Sequence, residues 1–266
     1  MRLPFAVLVC HLILAASACA EFPLHRAHLG GDPNSPFNMG LQRVLQRHFA
    51  RDTTEEKLEE DYLSLLELAT SAEQEGLVYA HIAWAYCSRG TIAQPDAAET
   101  WCLEALSHPL SPRVEIDLYQ LWAAALWTRY HEDWHGARYR VARRRMVVPA
   151  LRGLKFVLDL GAPKELPPDP LAALKSVLST AEGARRREIL QEMARIVAAN
   201  PPEKRPVDLH ELVLQRRNYT SWCMNLYLHD PADPDELRRL ASEALADHPE
   251  ALADLLEQLA AAVADE

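Results

Sequence analysis

Glycine is scarce in this chain, with nine in 266 residues. That leaves little material for phosphate-cradling loops or tight β-hairpins, which need positive φ or close backbone approach. There is no G-x-S-x-G elbow, no glycine-rich phosphate loop and no Ser-His-Asp or Cys-His arrangement on which nucleophilic catalysis could be built. Nowhere does apolar/polar alternation run long enough for a strand. An excess of positive charge is missing too: 28 Lys and Arg stand against 38 Asp and Glu, a net charge of −10, which argues against nucleic acid as a partner. The near-continuous apolar run from Leu3 to Leu14 falls short of the roughly 20 residues that span a bilayer, so no transmembrane segment is expected.

What remains is ordinary globular material, 49% hydrophobic and 25% charged and rich in Ala and Leu, enough for one or two helical domains. Residues 1–20 differ in kind. Arg2, the apolar run and the small-x-small Ala18-Cys19-Ala20 read as a secretory signal cleaved before Glu21. The alternative is a lipid anchor at Cys19, since Ala16-Ser17-Ala18-Cys19 loosely resembles a bacterial lipobox. Either way the chain is expected to be exported, to the periplasm or the exterior or as a lipoprotein. Residues 21–37, with three prolines and the Gly30-Gly31-Asp32-Pro33-Asn34 turn cluster, read as a tether.

From Asn38 helical spacing begins, with Leu41, Val44, Leu45 and Phe49 on one face. Asp52-Thr53-Thr54-Glu55-Glu56 starts a second helix, whose stripe is Leu58, Tyr62, Leu65, Leu66 and Ala69. Four more helices are expected at 77–89, 97–107, 114–128 and 137–160, pairing as two hairpins. Trp84-Ala85 is matched by Trp122-Ala123 38 residues on, and Trp101, Cys102, Leu106 and Pro109 by Val141, Ala142, Met146 and Pro149 at a spacing of 40. Small residues (Ala80, Ala83, Ala98, Ala105, Ala123 to Ala125) would let these helices approach closely. The pattern of paired helices with small residues and a terminal proline resembles tetratricopeptide-type repeats, whose unit is about 34 residues. The resemblance covers about a third of the chain. It implies an all-α fold of stacked antiparallel hairpins, a TPR-like α-solenoid, over residues 38–160. A proline-rich linker at 161–170 precedes a C-terminal helical region at 171–266. Within it the spacing predicts a helix or helix pair at 171–199, with Arg185-Arg186-Arg187 near the middle, and three more helices at 208–228, 234–246 and 249–264.

His131-Glu132-Asp133-Trp134-His135 fits H-E-x-x-H. On a helix, His131 and His135 would face one way and could bind zinc while Glu132 activated a water, as in zinc-dependent proteases, with Asp159 or Glu165 as candidate third ligands. Against this stand the charged Arg129 and Asp133 around the signature and Gly136 directly after it. The repeat spacing of 38 also maps His131 to Trp134 onto Ala93 to Asp96, between two expected helices. A polar inter-helix loop is therefore the leading reading, and a zinc-dependent hydrolase the alternative.

The basic segment 138–155 includes Arg140, Arg144 and Arg145 at the charged end of an apolar stripe. It reads either as a groove for carboxylates or as pairing with the chain's own acidic helices. Cys87 and Cys102, near facing helix ends, could form a disulfide in an oxidising compartment. Asn218-Tyr219-Thr220 is a glycosylation sequon if the host is eukaryotic. The expectation is an exported interaction module without catalysis or cofactor that binds another protein or peptide, with Arg140, Arg144, Arg145, Trp122 and Trp84 as the candidate binding surface.

Overall fold

The computed structural model describes residues 32–50, 53–87, 94–130, 137–167, 169, 171–199, 207–228 and 234–264. Among them there is no strand; the secondary structure is helical and the fold all-α. In chain order the α-helices are α1 (Pro36–Ala50), α2 (Glu55–Leu63, continued by a 3-10 turn, Ser64–Leu68), α3 (Ala72–Cys87), α4 (Pro95–Leu106), α5 (Pro112–Tyr130), α6 (Ala137–Asp159), α7 (Ala172–Leu178), α8 (Gly183–Ala199), α9 (Leu209–Leu228), α10 (Pro234–Ala244) and α11 (Pro249–Ala264).

Local chemistry fixes many of these ends. Thr54 caps α2, its side chain accepting from the Lys57 backbone N–H, and Glu55 and Glu56 complement the positive end of the helix. Five helices (α1, α4, α5, α10 and α11) begin at proline, where a missing N–H costs nothing. Gly161, at φ 81°, ends α6: its N–H donates to Leu158 O at 2.8 Å and the Ala162 N–H to Val157 O at 2.9 Å, the paired bonds of a Schellman cap.

Successive helices pack in order: α2 on α3, α3 on α4, α4 on α5, α5 on α6, with α3 also touching α5. α3 is buried over most of its circumference because it has neighbours on several sides, and its apolar residues accordingly run all round the helix. Ala80, Ala83, Ala98, Ala105 and Ala125 are fully buried, as close helix approach requires. A Cβ at Gly76 would stand 2.7 Å from His108 Cβ, so only glycine lets the turn after α4 lie against α3. Phe49 shares the expected helix with Leu41 and Val44 but is left uncovered: it is 51% exposed while they are buried. It lies near the end of α1 with its ring edge-on to Trp84, 5.5 Å between centroids.

α9 packs on α6, α10 on α6 and α9, and α11 on α9 and α10, so the C-terminal helices share one apolar core with the hairpins before them. Between α6 and α9 the chain makes an excursion. α7 and α8 pack on each other, α7 has no buried residue and α8 has only Ile189. The Arg185-Arg186-Arg187 run lies in the first two turns of α8, and the predicted single helix or pair is a pair. We refer to residues 171–199 as the arm.

Candidate functional site

The side chains expected to form a binding surface are mostly engaged within the molecule. Arg145 Nη2 donates to both carboxylate oxygens of Glu99 at 3.1 and 3.0 Å. Glu99 also accepts from Trp122 Nε1 at 3.2 Å and stands 3.7 Å from Arg129. Glu59 has a parallel role one hairpin earlier, accepting from Tyr86 OH at 2.6 Å and Trp101 Nε1 at 3.2 Å. In each case a carboxylate on the second helix of one hairpin ties together both helices of the next. Trp122 is buried under Arg152, whose guanidinium lies 5.5 Å from its ring centroid. Trp84 is buried against His48, with ring centroids 4.4 Å apart. Arg144 is 57% exposed and lies 3.7 Å from Glu236, and Arg140 falls in α6.

His131, Glu132 and His135 lie outside the described residues, as do residues 1–20 with Cys19. Among the described residues no group of three or more His, Cys, Asp or Glu side chains could hold a metal, and no helix is long and apolar enough to cross a membrane. Asp159 instead accepts from His248 at 2.7 Å and from Lys155 at 3.2 Å. Cys87 ends α3 and Cys102 lies in α4; both are buried free thiols, and burial pushes the Cys87 thiol up to about 12.

α5 and α9 meet through a buried polar cluster. Arg113 Nη1 lies 2.9 Å from Glu211 Oε1, and its Nε 3.4 Å from Asp117 Oδ2, an ion-pair contact that leaves this buried oxygen without an aligned hydrogen bond. Burial, aided by the Glu211 charge and opposed by Arg113, pushes the Asp117 carboxyl up to about 7. Gln120 donates to Gln215, which donates to Glu211 at 2.6 Å. Tyr219 OH donates to Ile116 O at 2.9 Å, and a Cβ at Gly153 would stand 2.5 Å from the Tyr219 ring. Tyr219 therefore joins α5, α6 and α9, with Gly153 supplying the space.

On another face of α9 lies a cleft of about 630 Å³, walled by α9, α11 and the segment after α6. Leu154, Met224, Leu255 and Ala262 give it an apolar lining. Its polar groups come from three directions: Lys164 and Glu165 from the connecting segment, Arg216, Arg217, Thr220 and Ser221 from α9, and Asp254 and Gln258 from α11. Asp254 bridges the walls, accepting from Lys164 Nζ at 2.8 Å and from Arg216 Nη2 at 3.2 Å, while Arg216 Nη1 donates to Ala162 O at 3.0 Å. Apolar wall and polar side chains thus share the lining, and polar groups that converge beside apolar surface are what orients a ligand in a site.

Sequence reasoning missed this cleft. Arg217, Thr220, Ser221 and Met224 lie at i, i+3, i+4 and i+7 of α9, one helical stripe, but nothing local says that α11 will face it. The sequon at Asn218-Tyr219-Thr220 sits on the same helix, with Asn218 exposed, Tyr219 buried and Thr220 lining the cleft. No protein-family model, curated protein or solved structure matches the chain.

Proposed function

We propose that the protein is an exported helical-repeat module that binds a peptide segment of another protein in the cleft between α9 and α11, without catalysis and without a cofactor. The observation that carries this reading is the cleft itself: about 630 Å³, lined by apolar and polar side chains together, with donors from α9, α11 and a connecting segment. The order of packing supports a TPR-like α-solenoid, since each hairpin touches its neighbours and Glu59 and Glu99 repeat one joining device. Such arrays offer extended surfaces to peptides, as a class. On this reading α9 continues the array, and its outer face becomes a binding wall.

The test is selection of a phage-displayed peptide library against the full chain. Enriched peptides bind with a Kd on the order of 1–100 μM and lose binding when Ala262→Trp fills the cleft, while the variant keeps the helical circular dichroism of the wild type. Enriched peptides that bind both proteins equally would overturn the site. Zinc analysis checks the absence of a cofactor: the purified chain holds less than stoichiometric zinc. Stoichiometric zinc that disappears in His131→Ala would replace this reading with a zinc-dependent hydrolase.

A further inference from the structure

Resting on the peptide-binding reading, the geometry points to a site for the free C-terminal carboxylate of a peptide whose last side chain is aliphatic. Part of the cleft's charge is neutralised within its own walls. Lys164 on the connecting segment, Asp254 on α11 and Arg216 on α9 are bonded to one another, so the three walls are tied together at that point.

The charges remaining beside the bridge suit a terminus. Arg216 is 15% exposed and committed to Ala162 O and Asp254. Lys164 is committed to the same carboxylate. Arg217, next in the chain and also lining the cleft, makes no ion pair or hydrogen bond with any described residue. Its guanidinium can take a carboxylate through two parallel N–H bonds. One turn further along α9 the Thr220 hydroxyl also lacks a partner among the described residues, and the neighbouring Ser221 hydroxyl accepts from Asn225 Nδ2 at 3.3 Å and keeps its own proton to donate. One further turn on, Met224 begins the apolar wall, roughly 10 Å from Arg217 along the helix. Cation, hydroxyls and apolar wall follow in the order that a terminal carboxylate, its backbone and an aliphatic side chain would need. Glu165 is the lining acid not held by the bridge; it is exposed and disfavours an acidic residue in the bound segment.

The experiment uses the full chain and a pool of fluorescein-labelled hexapeptides, randomised at the first four positions and ending in leucine-valine, as free acids or as C-terminal amides, read by fluorescence anisotropy. The free acids bind about tenfold tighter than the amides, the factor expected for one charge-assisted pair. In Arg217→Gln, an exposed position whose loss leaves the fold intact, that preference falls to within about twofold. Equal binding of acid and amide by the wild type, abolished by Ala262→Trp, overturns the carboxylate assignment and leaves peptide binding standing. Failure of both pools to bind overturns both. Displacement of the label by decanoate at the same concentration as by unlabelled free-acid peptide transfers the site to fatty acids and overturns the peptide assignment.

Discussion

At the scale of single residues, Asp117 makes stability depend on pH in a direction opposite to the usual one for a carboxylate. Its carboxyl titrates at about 7 in the folded chain and near 3.8 when unfolded. The folded state therefore binds a proton that the unfolded state does not between those values, and stability rises as the pH falls from 8 towards 5. Above about 7 the cost of a buried carboxylate beside Glu211 applies in full, with Arg113 offsetting part of it. Asp117→Asn removes that limb and stabilises the protein at pH 8 by roughly 2–4 kcal/mol. Urea unfolding of both proteins at pH 5 and pH 8 measures the difference, which shrinks at the lower pH. Gly153 gives a second prediction. A methyl group there meets the Tyr219 ring at 2.5 Å, so Gly153→Ala destabilises by about 1–3 kcal/mol, although the residue lies inside a helix where alanine would ordinarily help.

At the scale of elements, the arm contributes little to the core. Replacing residues 171–199 by a short glycine-serine linker shifts the Tm by less than about 3 °C, because only Ile189 is buried among them. Calorimetry of the two chains tests this. Elements were also where the sequence was most readable. Thr54, Pro234 and Pro249 mark helix starts by chemistry confined to a few neighbouring residues, and the structure puts helices there. The hairpin helices fall within a few residues of their expected bounds for the same reason. The exposure of Phe49 was not legible, because periodicity gives a face, whereas exposure depends on how far that face is covered near the end of α1. The candidate site was less legible still. Arg217, Thr220 and Met224 make a stripe, but a stripe does not name its partner, and the facing wall comes from Ala251 to Ala262, two helices later in the chain. Arg145 and Trp122 drew notice by their chemistry, and that chemistry is directed at Glu99.

At the scale of the whole molecule, α9 on α6 joins the two halves around the arm into one core that runs from Phe37 to Leu259. Hydrogen exchange should report this as one cooperative unit. Amides in α3, α5 and α9 open with a common free energy near that of global unfolding, while those of α7 and α8 exchange orders of magnitude faster. Separate opening of α9–α11 ahead of α3–α5 would contradict a single core. The arm's own turn has a practical consequence. Gly183, at φ 55°, has nothing within 4 Å of where a Cβ would stand, and no residue of 171–199 lines the cleft. Residues 180–183 are thus a graft point, where a folded reporter could ride on the molecule and signal ligand capture from outside the machinery it watches.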